Sequence, residues 1–325
     1  MEVNDSFSST LSTKILLTMN RWILVGVILS IVFTILVSLS YLESSPLRSI
    51  VENQGGLHFI FSAFIGAIIT GTSIVVTINQ LVLSQELGAV GKQQSRMQNS
   101  MDFRQEVEKY LDKKISSPEP SAFILELVQE IEEQAKILNS TTNQESTKLK
   151  NEIEDYTTSL IENAQLVNRK LEGSQFGTFQ VIWAALNFNY SEKINQLRQI
   201  QADYNTELSK DKNETIDQLL DLLTFFGPTR EHFKTLYFQW ELIKLSRTLM
   251  YASVLSLMVI GALLIHINTN VITGTTLGLD NLVLLTSAGF TIGIAPFVIF
   301  IAFLLRISTV AKRTLAMGPF ILKDN

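Results

Sequence analysis

The sequence predicts an all-α integral membrane protein. Four transmembrane helices, two before and two after, flank a cytoplasmic helical bundle with a coiled-coil-like stretch. Three observations predict it. The 325 residues are 46% hydrophobic and 18% charged, against about 25% charged for a soluble chain. The charges are concentrated, with 25 of the 31 acids and 19 of the 26 bases inside residues 84–249. Outside that stretch lie four uncharged apolar runs of a length that crosses a bilayer, for which about 20 residues suffice. None of the runs alternates with the period of two that a membrane barrel requires. The predicted division is a cytoplasmic N-terminal segment (1–21), spans one and two (22–83), a cytoplasmic helical domain (84–249), spans three and four (250–305) and a cytoplasmic tail (306–325).

Span one lies between Arg21 and Glu43, 21 residues without a charge. That is longer than the roughly 7–15 apolar residues of a signal peptide, so it reads as an uncleaved span. Gly26, Ser30, Thr34 and Ser38 recur every four residues, the small-residue device that lets helix backbones approach in lipid.

Span two is the most informative. Placed at 100° steps, its residues separate into stripes. Ala63, Ala67 and Gly71 form a small packing stripe. Ser62, Gly66, Ile69, Ser73, Thr77, Gln80 and Ser84 form a polar one, interrupted only by Ile69. Phe61, Phe64, Ile68, Val75 and Val82 are expected to face lipid, an assignment that Asn79 fits badly. Polar groups in a membrane prefer a bundle interior or a water-filled cavity. The polar stripe is therefore either a dry contact, its hydroxyls bonded back to their own helix, or the wall of a pore. In the pore reading Ser62 and Gly66 line the outer part, and Ile69 forms a constriction that gates by dewetting. Ser73, Thr77 and Gln80 line the inner vestibule and Glu86 stands at the mouth. Gly88 and Gly91 follow as a hinge or a plain helix interruption.

The insert reads as helices. One is expected over Met97–Lys114 as a continuation of span two, and one over Ser121–Leu138. Then Leu149, Ile153, Tyr156, Leu160, Asn163, Val167 and Leu171 recur at spacings of 4, 3, 4, 3, 4 and 4. That pattern suits a coiled-coil seam whose lone Asn fixes register, or a helical hairpin within the chain. Gly173 and Gly177 break the pattern before a helix over Phe179–Leu208. A short helix over Thr215–Phe226 is expected to stop at Gly227-Pro228, with Thr229 capping a last helix that runs into span three. In span four, Gly289 and Gly293 are a packing pair, and Pro296 is a hinge that frees the carbonyl of Ile292.

Orientation follows from Lys and Arg. Lys14, Arg21, Lys92, Arg96, Lys244, Arg247, Arg306, Lys312 and Arg313 lie on one side and only Arg48 on the other. The termini and the insert are thus expected to be cytoplasmic, in a multi-pass protein of the cell membrane.

The absence of cysteine removes disulfides, thiolate metal sites and cysteine nucleophiles. The net charge of −5 argues against a nucleic-acid partner. No phosphate-binding loop, zinc-protease motif, EF-hand or nucleophile elbow occurs, so no enzyme activity and no cofactor is expected. His58 and His266, near the outer ends of spans two and three, are the sole candidate pair for a metal. The order of two spans, a cytoplasmic helical region, two spans and inside termini resembles the layout of bestrophin-type anion channels, in topology alone and with no matched motif. The expected function is a homo-oligomeric ion channel lined by span two and gated through the cytoplasmic domain. The alternative is a membrane-anchored scaffold or signalling protein that binds a cytoplasmic protein partner through its bundle.

Overall fold

The computed structural model describes residues 20–42, 54–140, 146–173, 179–267 and 272–313. Lys14, Arg48 and Gly177, and the side chains of Glu86, Lys312 and Arg313, lie outside what it describes. The described chain is almost entirely helical: α1 (Arg21–Leu42), α2 (Gln54–Glu86), α3 (Val90–Glu108), α4 (Pro120–Ser140), α5 (Thr147–Leu171), α6 (Phe179–Leu186), α7 (Tyr190–Asp203), α8 (Lys210–His266) and α9 (Asn281–Arg313). A two-stranded hairpin, β1 (Thr275–Thr276) and β2 (Leu279–Asp280), precedes α9. Its turn residues Leu277 and Gly278 both have positive φ, the geometry that matches the twist of paired strands. Four helices, α1, α2, α8 and α9, are long and apolar enough to cross a membrane.

The chain divides into two compact units, Met1–Leu87 with Glu241–Val310 and Gly88–Trp240 with Ala311–Asn325. In the first, α9 is the hub. Buried residues make up 39% of its apolar window against 6% for α1. One cluster joins Val25, Val75, Leu245, Leu249, Val298 and Phe303. Another joins Leu57, Phe61, Ile68, Ile260, Ile267 and Leu282.

The second unit has an apolar core of its own. The stripe of α4 (Ile124, Leu127, Val128, Ile131, Ala135, Leu138) is buried and α5 packs chiefly on it, and also on α6 and α7. Ser146 caps α5 by accepting from the Leu149 N–H at 3.3 Å, and Arg169 and Lys170 in its last turn oppose the helix dipole. Leu149, Ile153, Tyr156, Leu160, Val167 and Leu171 are all buried within the chain, so the seam is consumed by intramolecular packing.

Several local expectations are corrected. The helix after span two ends at Glu108 rather than Lys114. The Glu108 carboxylate accepts from the Ser116 N–H at 2.9 Å and its hydroxyl at 2.7 Å. Those bonds hold its carboxyl below the ordinary value and fold the chain back. The expected helix over Phe179–Leu208 is two, parted at Asn187–Asn189. Asn163 pins that break, donating to the Asn187 carbonyl and accepting from the Asn189 N–H, both at 3.2 Å. Gly227-Pro228 does not stop a helix, because α8 runs through it. Thr229, far from capping, donates its hydroxyl to the Phe225 carbonyl at 2.8 Å. Tyr190 lies so close to Gly227 that a Cβ there would sit 2.9 Å from its ring, and Phe188 and Tyr190 flank Phe226. Tertiary contact thus overrides the local breaker.

Candidate functional site

Helix α2 owes its geometry to where its bulk lies. Leu57, Phe61, Ile68 and Val75 share one side at helical spacing, and all four are buried. This corrects their expected place in lipid for Phe61, Ile68 and Val75. Phe61 and Phe64 fit against Gly289 and Gly293 of α9, whose absent Cβ atoms would sit 3.2 and 3.4 Å from the two rings. Phe64 also meets Phe290 edge to face at 4.9 Å. Asn79 falls on this same covered side. Its Oδ1 is buried and accepts no bond among the described residues, which explains why it fitted a lipid face badly.

Hydroxyls stitch these helices where apolar packing alone gives little drive in lipid. Thr72 on α2 donates to Ser253 on α8 at 2.7 Å. Ser256 donates to the Ile292 carbonyl at 2.8 Å, the group that Pro296 deprives of its helical partner. The hinge expected at Pro296 is therefore bridged by a bond from a neighbouring helix. At another point of the unit, Arg21 grips the buried Glu241 with two bonds of 2.6 and 3.0 Å. Its guanidinium lies 4.3 Å from the centre of the Phe303 ring, and Lys244 stands 3.9 Å from the same carboxylate. Nothing in the sequence paired Arg21 with Glu241, which lie 220 positions apart.

The opposite side of α2 is uncovered among the described residues. Ser62, Gly66, Ile69, Ser73, Thr77, Gln80 and Ser84 are all exposed, with Ile69 at 52%. The hydroxyls of Ser73, Thr77 and Ser84 are bonded back along the helix. Ser73 donates to Ile69 O at 2.8 Å, Thr77 to Ser73 O at 2.9 Å and Ser84 to Leu81 O at 2.6 Å. With those three protons so engaged, the oxygens' lone pairs are what they present outward. No charged residue occurs between Gln54 and Ser84. The face therefore offers neutral acceptors and the Gln80 amide, and one bulky apolar side chain among them.

The small residues divide in the same way. Gly71 meets Phe297 at 3.6 Å from its would-be Cβ, but Gly26 and Gly66 have nothing within 4 Å among the described residues. Ser30, Ala63 and Ala67 are exposed as well. Gly26, Ser30, Ala63 and Ala67, expected to pack, thus stand exposed among the described residues. On α1 that leaves an open groove of about 510 Å³ along Ile23, Gly26, Val27, Ser30, Ile31 and Thr34.

Gly88 lies in the three-residue break between α2 and α3, and Gly91 in the first turn of α3. His58 and His266 are both exposed, and no group of three or more metal-ligating side chains occurs among the described residues.

A family model described as "Family of unknown function (DUF7972)" matches residues 3–325. No curated protein and no solved structure matches the chain.

Proposed function

The chain belongs to the DUF7972 family over residues 3–325, and we propose that it is an oligomeric membrane channel, its lumen lined by the uncovered face of α2 from each copy. In this reading the four apolar helices cross the cell membrane as two pairs, and the unit between them and both termini are cytoplasmic. The bases support that orientation. Residues 88–240 form the gating and assembly domain.

The observation that carries the reading is the uncovered polar face itself. Lipid is a poor solvent for a row of hydroxyls, an amide and bare glycine backbone, and the described residues supply no cover. Copies arranged about an axis give that face water and one another. Ile69, alone among small and polar neighbours, is then the narrowest and driest ring, a gate by dewetting. Outward lone pairs with no fixed base in the span favour cations over anions in such a lumen.

A second feature supports assembly. Residues 90–102 of α3 are exposed on every side, and an isolated helix of this length is marginal in water. A neighbouring copy is the simplest support. The same uncovered helix also suits the scaffold reading, in which a cytoplasmic protein partner packs there.

Planar-bilayer recording of the full-length protein separates the two. The channel reading expects single-channel current that favours cations, a leak on Ile69→Ala, and an assembly of four or more copies in nanodiscs. A silent bilayer, or a monomer, would contradict it.

A further inference from the structure

We infer that the 88–240 unit carries a binding site for a small aromatic carboxylate. The site is a cavity of about 320 Å³, at the lower end of the roughly 300–1,000 Å³ that small-molecule pockets span. Three segments enclose it: the middle of α3, the Ser117–Phe123 stretch that opens α4, and α8 from Pro228 to Phe233. Its walls are Phe103, Pro118, Phe123, Pro228 and Phe233. Phe123 and Phe233 stand edge to face at 6.4 Å. Rigid rings of this kind favour a flat aromatic body over a flexible chain, because ring edges and faces attract one another.

The polar groups set the sign of the ligand. Arg104 is the one formally charged side chain among the described residues that line the cavity, and no carboxylate lines it. Its Nε and Nη2 donate to the Ser116 hydroxyl at 3.2 and 2.9 Å, and Nη2 also reaches the Ser116 carbonyl at 2.8 Å. These bonds fix the guanidinium plane and leave Nη1 without an acceptor among the described residues. Glu108, bonded to Ser116, lies outside the lining. His232, exposed at the rim, adds a ring N–H donor. A buried-edge guanidinium with a free donor recognises a carboxylate best. The site does not depend on α2 lining a lumen.

The test uses the full-length protein in nanodiscs, titrated calorimetrically with naphthoate and with uncharged naphthamide, and blanked against empty nanodiscs. The wild type is expected to bind naphthoate saturably and about tenfold or more tighter than naphthamide, as one added charge-assisted bond gives. Arg104→Gln is expected to erase that preference. Because Arg104 also braces Ser116, two further variants keep the test independent of folding. His232→Leu should narrow the preference at unchanged melting temperature, and Ser100→Trp, from an exposed position on the wall, should block both ligands. Equal affinity of the wild type for the two ligands, no saturable binding, or undiminished binding by Ser100→Trp would each overturn the site.

Discussion

The two units of this protein treat their amphipathic helices in opposite ways. In residues 88–240 the apolar stripes of α4 and α5 face each other, and even the heptad-like row from Leu149 to Leu171 is buried in its own chain. Charges form pairs such as Lys136 with Glu132 at 3.0 Å or, where buried like Lys193, bond to neutral groups such as the Ser159 hydroxyl at 2.7 Å. In the unit of long apolar helices the stripe left without a partner is the polar one, on α2, while bulk such as Phe61 and Ile68 is inside. Water forces the first arrangement. Lipid neither forces the second nor tolerates its remainder. Among the described residues the first unit buries the stripes of α4 and α5 and leaves residues 90–102 of α3 exposed, and the unit of long apolar helices leaves the polar face of α2 exposed; the proposed assembly gives that face its partner.

The sharpest way to break the comparison sets two glycines against each other. Gly289 lies on the satisfied side, where a Cβ would come within 2.3 Å of Leu263 Cδ1 and 3.2 Å of Phe61. Gly289→Leu is expected to cost about 3 kcal/mol or more through overpacking, seen as lost folded yield and a lower melting temperature in nanodiscs. Gly66 faces nothing within 4 Å. Gly66→Leu should leave melting of the chain's own fold unchanged and abolish current. Equal destabilisation by both would erase the difference between the two faces.

The next effect concerns the ion pair. Glu241→Ala leaves Arg21 against Phe303 without its carboxylate, at a cost of about 3 kcal/mol in thermal unfolding of the membrane unit. Glu241→Gln should recover part of it. A neutral result would mean that the contact contributes nothing to the fold.

The smallest effect lies in the soluble-type unit. Burial pushes the Glu132 carboxyl up, but hydrogen bonds from Gln165, Lys136 and Asn168 outweigh it and leave it below the ordinary value. Such a group stabilises the fold above the usual carboxylate range, and the contribution is lost as pH falls through the lowered value. Glu132→Gln should therefore flatten the acid side of the stability profile by less than about 1 kcal/mol, read by circular dichroism.

How legible was all this in the sequence? The long apolar helices were, because a run without charge is a one-dimensional signal. So were the stripes of α4 and α5, because water enforces their period. The faces of α2 were not. Phe61, Ile68 and Val75 suit lipid and helix contact equally, so hydrophobicity could not assign them; Asn79 was the one hint that their side is covered. The Ile292 carbonyl was legible as a group in need of a donor, but Ser256 as that donor was not, since the pairing depends on how two helices meet. Gly227-Pro228 misled because the contacts packed on α8 at that point come from Tyr190 and Phe188, about 40 positions away. Asn163 was legible as an exception within its row, and its partners Asn187 and Asn189 were not.

The absence of cysteine makes one measurement especially direct. Ser73→Cys places a single thiol on the uncovered face of α2, and a charged, membrane-impermeant methanethiosulfonate is added while current is recorded across a planar bilayer. The account predicts that the reagent blocks the current, and that Val254→Cys, exposed on α8, is unaffected. Current through Ser73→Cys that persists after the reagent has been shown by mass to modify it, or no current from the protein at all, would contradict the lumen.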